Sequence, residues 1–249
     1  MNRNVLIVDI GNTASDFAVF NNKNLQDFLG FFKLPNEKNL LKEKVTSFRK
    51  NGLKIDDGMI FSVVPSINEL VINIVEEVFG IKLKVFDWHS YNLKKKNPKI
   101  KEAIGADLLA DIKQADIEYG GPCLVADFGT VTKLMQLDKN GSFEGLSFIP
   151  GIEISLKLFN TQTELLPQSE DLIAPKDRLG LTTIESMHHG VYYSTIYYVK
   201  EVLITLDKDT KLILTGGNVR FIKDEFADAI IDRDLTLKGM YSLYKEISK

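Results

Sequence analysis

Asp9-Ile10-Gly11-Asn12-Thr13 sets a carboxylate, a glycine, an amide and a hydroxyl directly after the apolar run 5–8. Backbone N–H groups and small polar side chains in such a tight loop suit a phosphate. Asp9 shares the phosphate's sign, so its task there is to hold a cation or that cation's waters. A plain β-hairpin turn accounts for the same residues, because Gly-Asn is common turn chemistry. The pattern recurs 118 residues later as Asp127-Phe128-Gly129-Thr130, after the apolar run Leu124-Val125-Ala126. One Asp-x-Gly is weak, but two in matched context point to a nucleoside triphosphate held with Mg²⁺. Phosphoryl transfer also needs a carboxylate to take the proton of the attacking hydroxyl. Asp107, which follows Gly105-Ala106 where a helical pattern begins, is the candidate. An acidic residue at that place also serves simply to complement a helix N-terminus.

The elements that must position these residues form two similar runs. In the first, strands are expected at 5–8, 17–20 and 28–34, a surface helix at 36–50 and a strand at 59–64 stopped by Pro65. Ser66 and Glu69 read as a capping box for a helix ending near Gly80, and 83–88 reads as a further strand. A helix then runs from Gly105 to about Glu118, where Gly120-Gly121-Pro122 breaks it. The second run opens with the strand before Asp127 and a hairpin, 132–137 with 143–149, turned by Asp138-Lys139-Asn140-Gly141. Pro150-Gly151 opens a helix to about Asn160, 165–175 reads as a loop, and Thr182 opens the longest helix, to about Leu206. Strand 211–214, the turn Thr215-Gly216-Gly217-Asn218 with a following helix, and an amphipathic helix at 240–247 complete the chain. Strands mixed with helices in this order predict an α/β fold. Its duplication predicts two domains, 1–119 and 120–249, facing each other across a cleft.

Composition removes several other classes. With 249 residues, a net charge of −3, 44% apolar and 26% charged residues, the chain matches an ordinary globular protein. No stretch reaches the roughly 18 apolar residues that span a bilayer. Met1-Asn2-Arg3-Asn4 runs straight into a strand, so a signal peptide is not expected and the cytoplasm is. Cys123, the single cysteine, sits in Cys-Leu-Val-Ala and reads as a small core residue. Five lysines between Lys94 and Lys101 read as a solvated loop or an attractor of anions. No aromatic side chains interleave them to stack bases, and with the acidic balance this argues against nucleic acid. His188 and His189, neighbours in a helix, read as a surface pair without metal spacing, and Tyr192-Tyr193 and Tyr197-Tyr198 read as packing. Neither Gly-x-x-x-x-Gly-Lys-[Ser/Thr] nor Gly-x-Gly-x-x-Gly is present.

Taken in order, these segments resemble the type III pantothenate kinases of the acetate and sugar kinase, Hsp70 and actin superfamily. The resemblance rests on Asp9 to Thr13, Phe61-Ser62-Val63-Val64-Pro65, Gly105-Ala106-Asp107, Asp127 to Thr130, Pro150-Gly151, Leu166-Pro167, Thr183-Ile184-Glu185 with Gly190, and Leu214-Thr215-Gly216-Gly217. It implies two actin-like (ribonuclease H-like) domains and ATP-dependent phosphorylation of the primary hydroxyl of pantothenate, the first step of coenzyme A synthesis. It implies ATP contacts from Asp9, Ile10, Gly11, Asn12, Thr13, Ala14, Ser15 and Asp16, and from Gly129 and Thr130. Asp107 would be the proton acceptor, and Gly105, Ala106, Asp107, Leu108 and Thr183 would meet pantothenate. Asp127 would bind a monovalent cation, potassium or ammonium, and the chain would be a homodimer. Two departures stand out: Leu108 occupies a position where the family carries arginine, and Lys95 one where it carries tyrosine. A regulatory accessory factor on the same fold, and a kinase for another hydroxyl-bearing small molecule, stay open as alternatives.

Overall fold

The computed structural model describes residues 3–21, 24–89, 91, 104–169, 172–175, 177 and 179–248, without the side chain of Asn160. The lysine-rich segment 94–101 and Lys95 lie outside the described residues. The chain divides into two units, Met1–Gln114 with Leu235–Lys249, and Ala115–Asp234.

The first unit is built on β1 (Asn4–Ile10), β2 (Ser15–Asn21), β3 (Asn24–Phe32), β4 (Asp57–Ser62) and the two-residue β5 (Lys84–Val85). Their order across the sheet is β3-β2-β1-β4-β5, with β1, β4 and β5 parallel and β2 and β3 antiparallel. Residues 5–8 of β1 are all apolar because both faces of the strand are covered there. Leu6, Val8 and Ile10 face one core with residues of α1 (Lys38–Lys50) and α2 (Pro65–Phe79), such as Leu41, Val45, Val71 and Val75. Val5 and Ile7 face the other, with Ala106, Leu109 and Ala110 of α3 (Ala106–Glu118) and Leu237, Met240 and Leu243 of α6 (Leu235–Ile247).

The second unit repeats the plan with β6 (Cys123–Phe128), β7 (Val131–Leu137), β8 (Phe143–Pro150), β9 (Lys211–Thr215) and the two-residue β10 (Ile230–Ile231). Its order, β10-β9-β6-β7-β8, is that of the first sheet with β6 in the place of β1. The directions match as well, β6 running antiparallel to β7 and parallel to β9. Leu124, Ala126 and Phe128 pack against α4 (Ile152–Gln162) and α5 (Thr183–Ile204) through Ile152, Leu156, Ile196 and Val199.

Four sequence-based expectations shift. The division falls inside α3 rather than at Gly120-Gly121-Pro122, and the last helix belongs to the first unit instead of residues 120–249. Its apolar stripe of Leu237, Met240, Tyr241 and Tyr244 completes the core behind β1, where Tyr241 stacks on Phe20 at 4.8 Å. Ser66 lies inside α2, whose N-cap is Val64 with Pro65 in the first turn and no side-chain cap; proline's fixed φ starts the helix instead. Only Lys84 and Val85 of 83–88 pair as strand, and a 3₁₀ turn at Gly217–Phe221 replaces the helix expected after Gly216-Gly217.

Candidate functional site

The first Asp-x-Gly segment forms a hairpin turn. β1 ends at Ile10 and β2 begins at Ser15, opposite it in register, so Gly11, Asn12, Thr13 and Ala14 form a hairpin turn. The Gly11 N–H donates to the Ala14 carbonyl at 3.0 Å, and a Cβ at Gly11 would press on that oxygen at 3.1 Å. Asn12 and Thr13 are exposed at the tip. Asp9 lies directly opposite Asp16. The strand alternation that turns Val5, Ile7, Ala18 and Phe20 into one core turns both carboxylates to that same face. Burial pushes the Asp16 carboxyl up to about 6. Facing carboxylates repel, and a divalent cation relieves this. Among the described residues no three His, Cys, Asp or Glu converge on one metal. A cation here would therefore be held by one or two carboxylates and by phosphate oxygens, which is how Mg²⁺ is bound beside nucleotides.

Asp107 stands in the first turn of α3, at the positive end of the helix dipole. Ala106, Leu109 and Ala110 anchor that turn in the core with Phe61 and Phe86, on the face of the sheet that carries Asp9 and Asp16. A Cβ at Gly105 would come within 2.7 Å of Asp107 Oδ1, so the carboxylate's position depends on glycine before it. Leu108 is buried, which makes the departure from arginine a packed apolar side chain.

In the second unit Asp127 is buried near the end of β6, and Gly129-Thr130 turn the chain into β7 with Thr130 exposed. Backbone crowds this turn from two sides. A Cβ at Gly151 would collide with the Gly129 and Thr130 carbonyls, and one at Gly216 with Asp127 Oδ1 and the Phe128 backbone. Gly216 also holds φ +90°, which L side chains rarely adopt. The Asn218 amide donates to the Gly129 carbonyl at 3.4 Å. Thr183 lies at the exposed start of α5, after Thr182, whose hydroxyl accepts from the Glu185 N–H in a capping box.

Lys133 is the residue that the sequence reading missed. It pairs with Asp127 across the β6–β7 hairpin, and its Nζ donates to Asp127 Oδ2 at 2.6 Å. A two-residue Gly129-Thr130 turn would set Asp127 opposite Thr132; the observed register, with Phe128 opposite Thr132, is one residue longer and brings Lys133 there instead.

The histidine pair is a correction. His188 and His189 are both buried. The His188 ring sits beneath the segment before α5, accepting from the Ile173 N–H at Nδ1 (2.8 Å) and bonding Ser169 Oγ through Nε2 (2.7 Å). This fixes the neutral tautomer with the proton on Nε2, and burial holds its pKa below the usual value. His189 meets the Tyr193 ring edge-on at 6.0 Å. Cys123 is a core residue as expected, its thiol pushed up to about 11 by burial. No helix among the described residues is long and apolar enough to cross a membrane.

Known proteins carry the same arrangement. Solved structures that align along almost the whole chain include a Campylobacter jejuni protein described as a Baf-family transcriptional activator, at TM-score 0.64, 18% identity and 98% of both chains. The activator of the 2-hydroxyisocaproyl-CoA dehydratase from Clostridium difficile, solved with bound ADPNP, aligns at TM-score 0.51 and 13% identity, covering 100% of this chain and 96% of that one. These likenesses establish an actin-like fold. At the level of sequence, the type III pantothenate kinase of Agathobacter rectalis is 32% identical over 97% of both chains. That of Endomicrobium trichonymphae is 31% identical over 97% of this chain and 99% of its own. The family model for type III pantothenate kinase matches residues 5–204, and the chain belongs to that family.

Proposed function

We propose that this chain transfers the γ-phosphoryl group of ATP to the primary hydroxyl of pantothenate, yielding 4′-phosphopantothenate and ADP in the cytoplasm. The observation that carries the reading is the repetition of one loop, Asp-x-Gly with a threonine within two residues of the glycine, after the corresponding strand in two sheets of the same strand order. Family membership supplies the acceptor.

In the first unit the turn N–H groups and the Asn12 and Thr13 side chains meet phosphate oxygens, and in the second Gly129 and Thr130 do the same. Asp9 and Asp16 would hold the divalent cation directly or through its waters; the facing pair, with the Asp16 carboxyl pushed up by burial, fits that ion. Bound there, Mg²⁺ supplies neutralisation of the triphosphate charge. Asp107 accepts the proton of the pantothenate hydroxyl as its oxygen bonds to the γ-phosphorus, and the bond from phosphorus to the β–γ bridging oxygen breaks to release ADP. Gly105, Ala106 and Leu108 shape the acceptor side around Asp107, and Thr183 contributes a hydroxyl.

The monovalent cation of the resemblance does not fit in the same way. Asp127, the residue expected to hold it, already carries the Lys133 ammonium, and no step is assigned to that ion. The chain pairs with a second copy through the region of α5, where Leu179, Leu181, Ile184 and Tyr197 stand exposed. A coupled assay of ADP release with ATP, Mg²⁺ and pantothenate tests the reading. Release that depends on pantothenate is expected, and none across a wide range of protein concentration would refute it.

A further inference from the structure

Asp127 and Lys133 are fixed to each other by the hairpin that joins β6 to β7. They occupy opposed positions on one face of the sheet, with Nζ 2.6 Å from Oδ2. Their side chains are only 9% and 16% exposed. A carboxylate shielded to that degree is costly without a positive partner. A lysine head carries the charge and N–H donors of an ammonium ion on a covalent stem. Tethering makes its local concentration independent of the ions in solution. The other carboxylate oxygen is closed in by glycine, since a Cβ at Gly216 would collide with Oδ1 and one at Gly129 would lie 3.7 Å from it. A second monovalent cation on this carboxylate would sit against the ammonium charge.

We propose that Lys133 is a built-in monovalent cation: its ammonium group takes the place at Asp127 that potassium or ammonium would fill, and the chain needs neither ion. As to rate, the proposal rests on the kinase reading above; as to ion binding, it stands apart from it. Removing the ammonium while keeping an apolar stem, as in Lys133→Met, reopens the position. Asp127 also has Thr215 as its register partner on β9, whose buried hydroxyl has no hydrogen bond among the described residues. A free cation can then take the vacated place at the carboxylate, with that hydroxyl as a further oxygen donor on the neighbouring strand.

The test uses the full chain in buffer whose monovalent cation is choline, with KCl or NH₄Cl added at constant ionic strength. Melting temperature and phosphorylation of pantothenate are both followed. The wild type is expected to respond to neither salt by more than about twofold in rate, with no melting shift beyond that of choline chloride. Lys133→Met is expected to lose about tenfold or more in choline and to regain rate and melting temperature with K⁺ or NH₄⁺. A wild type that K⁺ activates by about tenfold, or melts higher specifically in K⁺, overturns the proposal. So does a folded Lys133→Met that ignores both ions. Should that variant fail to fold, the wild-type titration alone decides. If pantothenate is not phosphorylated in any salt, the kinase reading falls, while the melting titration still settles the occupant of Asp127.

Discussion

At the scale of residues, three carboxylates with different surroundings are given different work. Asp107 sits in the first turn of α3, directly after Gly105-Ala106, and is the proposed proton acceptor. Asp107→Asn keeps the size and the helix start but cannot take a proton. Turnover is expected to fall about 10²- to 10⁴-fold while nucleotide affinity, measured by calorimetry, stays within a few-fold; a near-normal rate would remove Asp107 as the base. Asp16 is the opposite case. Its pKa of about 6 lies above the ordinary 3.8 because burial opposes the charge. The raised value means that the fold is favoured below about 4 and loses stability as pH rises through 6. Asp16→Asn should therefore stabilise the nucleotide-free protein above pH 6, by on the order of 2 kcal/mol in urea unfolding, and weaken Mg²⁺–ATP binding. A variant less stable than wild type at pH 8 would contradict the assignment. Asp127 differs again, because its counter-charge is covalently supplied by Lys133.

At the scale of elements, His188 latches the segment that leads into α5, joining Ile173 and Ser169 to the helix. His189 and Tyr193 are its titratable neighbours on α5. The ring accepts at Nδ1, so a proton there would break the bond from the Ile173 N–H. A folded pKa below 6.5 means that the unfolded chain takes up the proton first, so stability is full above about 6.5 and declines as pH falls below it. His188→Gln should flatten that part of the pH–stability curve between pH 7 and 5. An unchanged slope would show that the ring is not the sensor. This latch was illegible in the sequence, where two adjacent histidines carry no periodic signal for the side of the helix on which Ser169 and Ile173 lie. The turns were legible, because Gly-Asn and Asn-Gly specify backbone directly. Lys133 was not legible, because a two-residue Gly129-Thr130 turn would pair Asp127 with Thr132, and only the observed register, one residue longer, brings Lys133 opposite it.

At the scale of the whole molecule, the duplication was readable from two loops 118 residues apart, because each follows an apolar strand and precedes a second. Both sheets then proved to have the same order and directions. The assignment of α6 to the first unit was not readable, since an amphipathic helix announces an apolar stripe and not the core that receives it. Exposed Leu179, Leu181, Ile184 and Tyr197 around the start and middle of α5 lead to an expected mass near twice 28.1 kDa by light scattering at micromolar concentration. A monomer at that concentration would contradict the pairing, and Leu181→Asp with Tyr197→Asp should produce one.

Under the proposed function this chain phosphorylates pantothenate with a buried, apolar Leu108 next to Asp107. A panel of hydroxyl-bearing acids, sugars and pantothenate, each supplied with ATP and Mg²⁺ and read by ³¹P NMR of the product, tests it most directly. Pantothenate is expected to give the highest kcat/KM and a phosphate monoester on its primary hydroxyl. A different acceptor turning over faster, or none turning over, would contradict it.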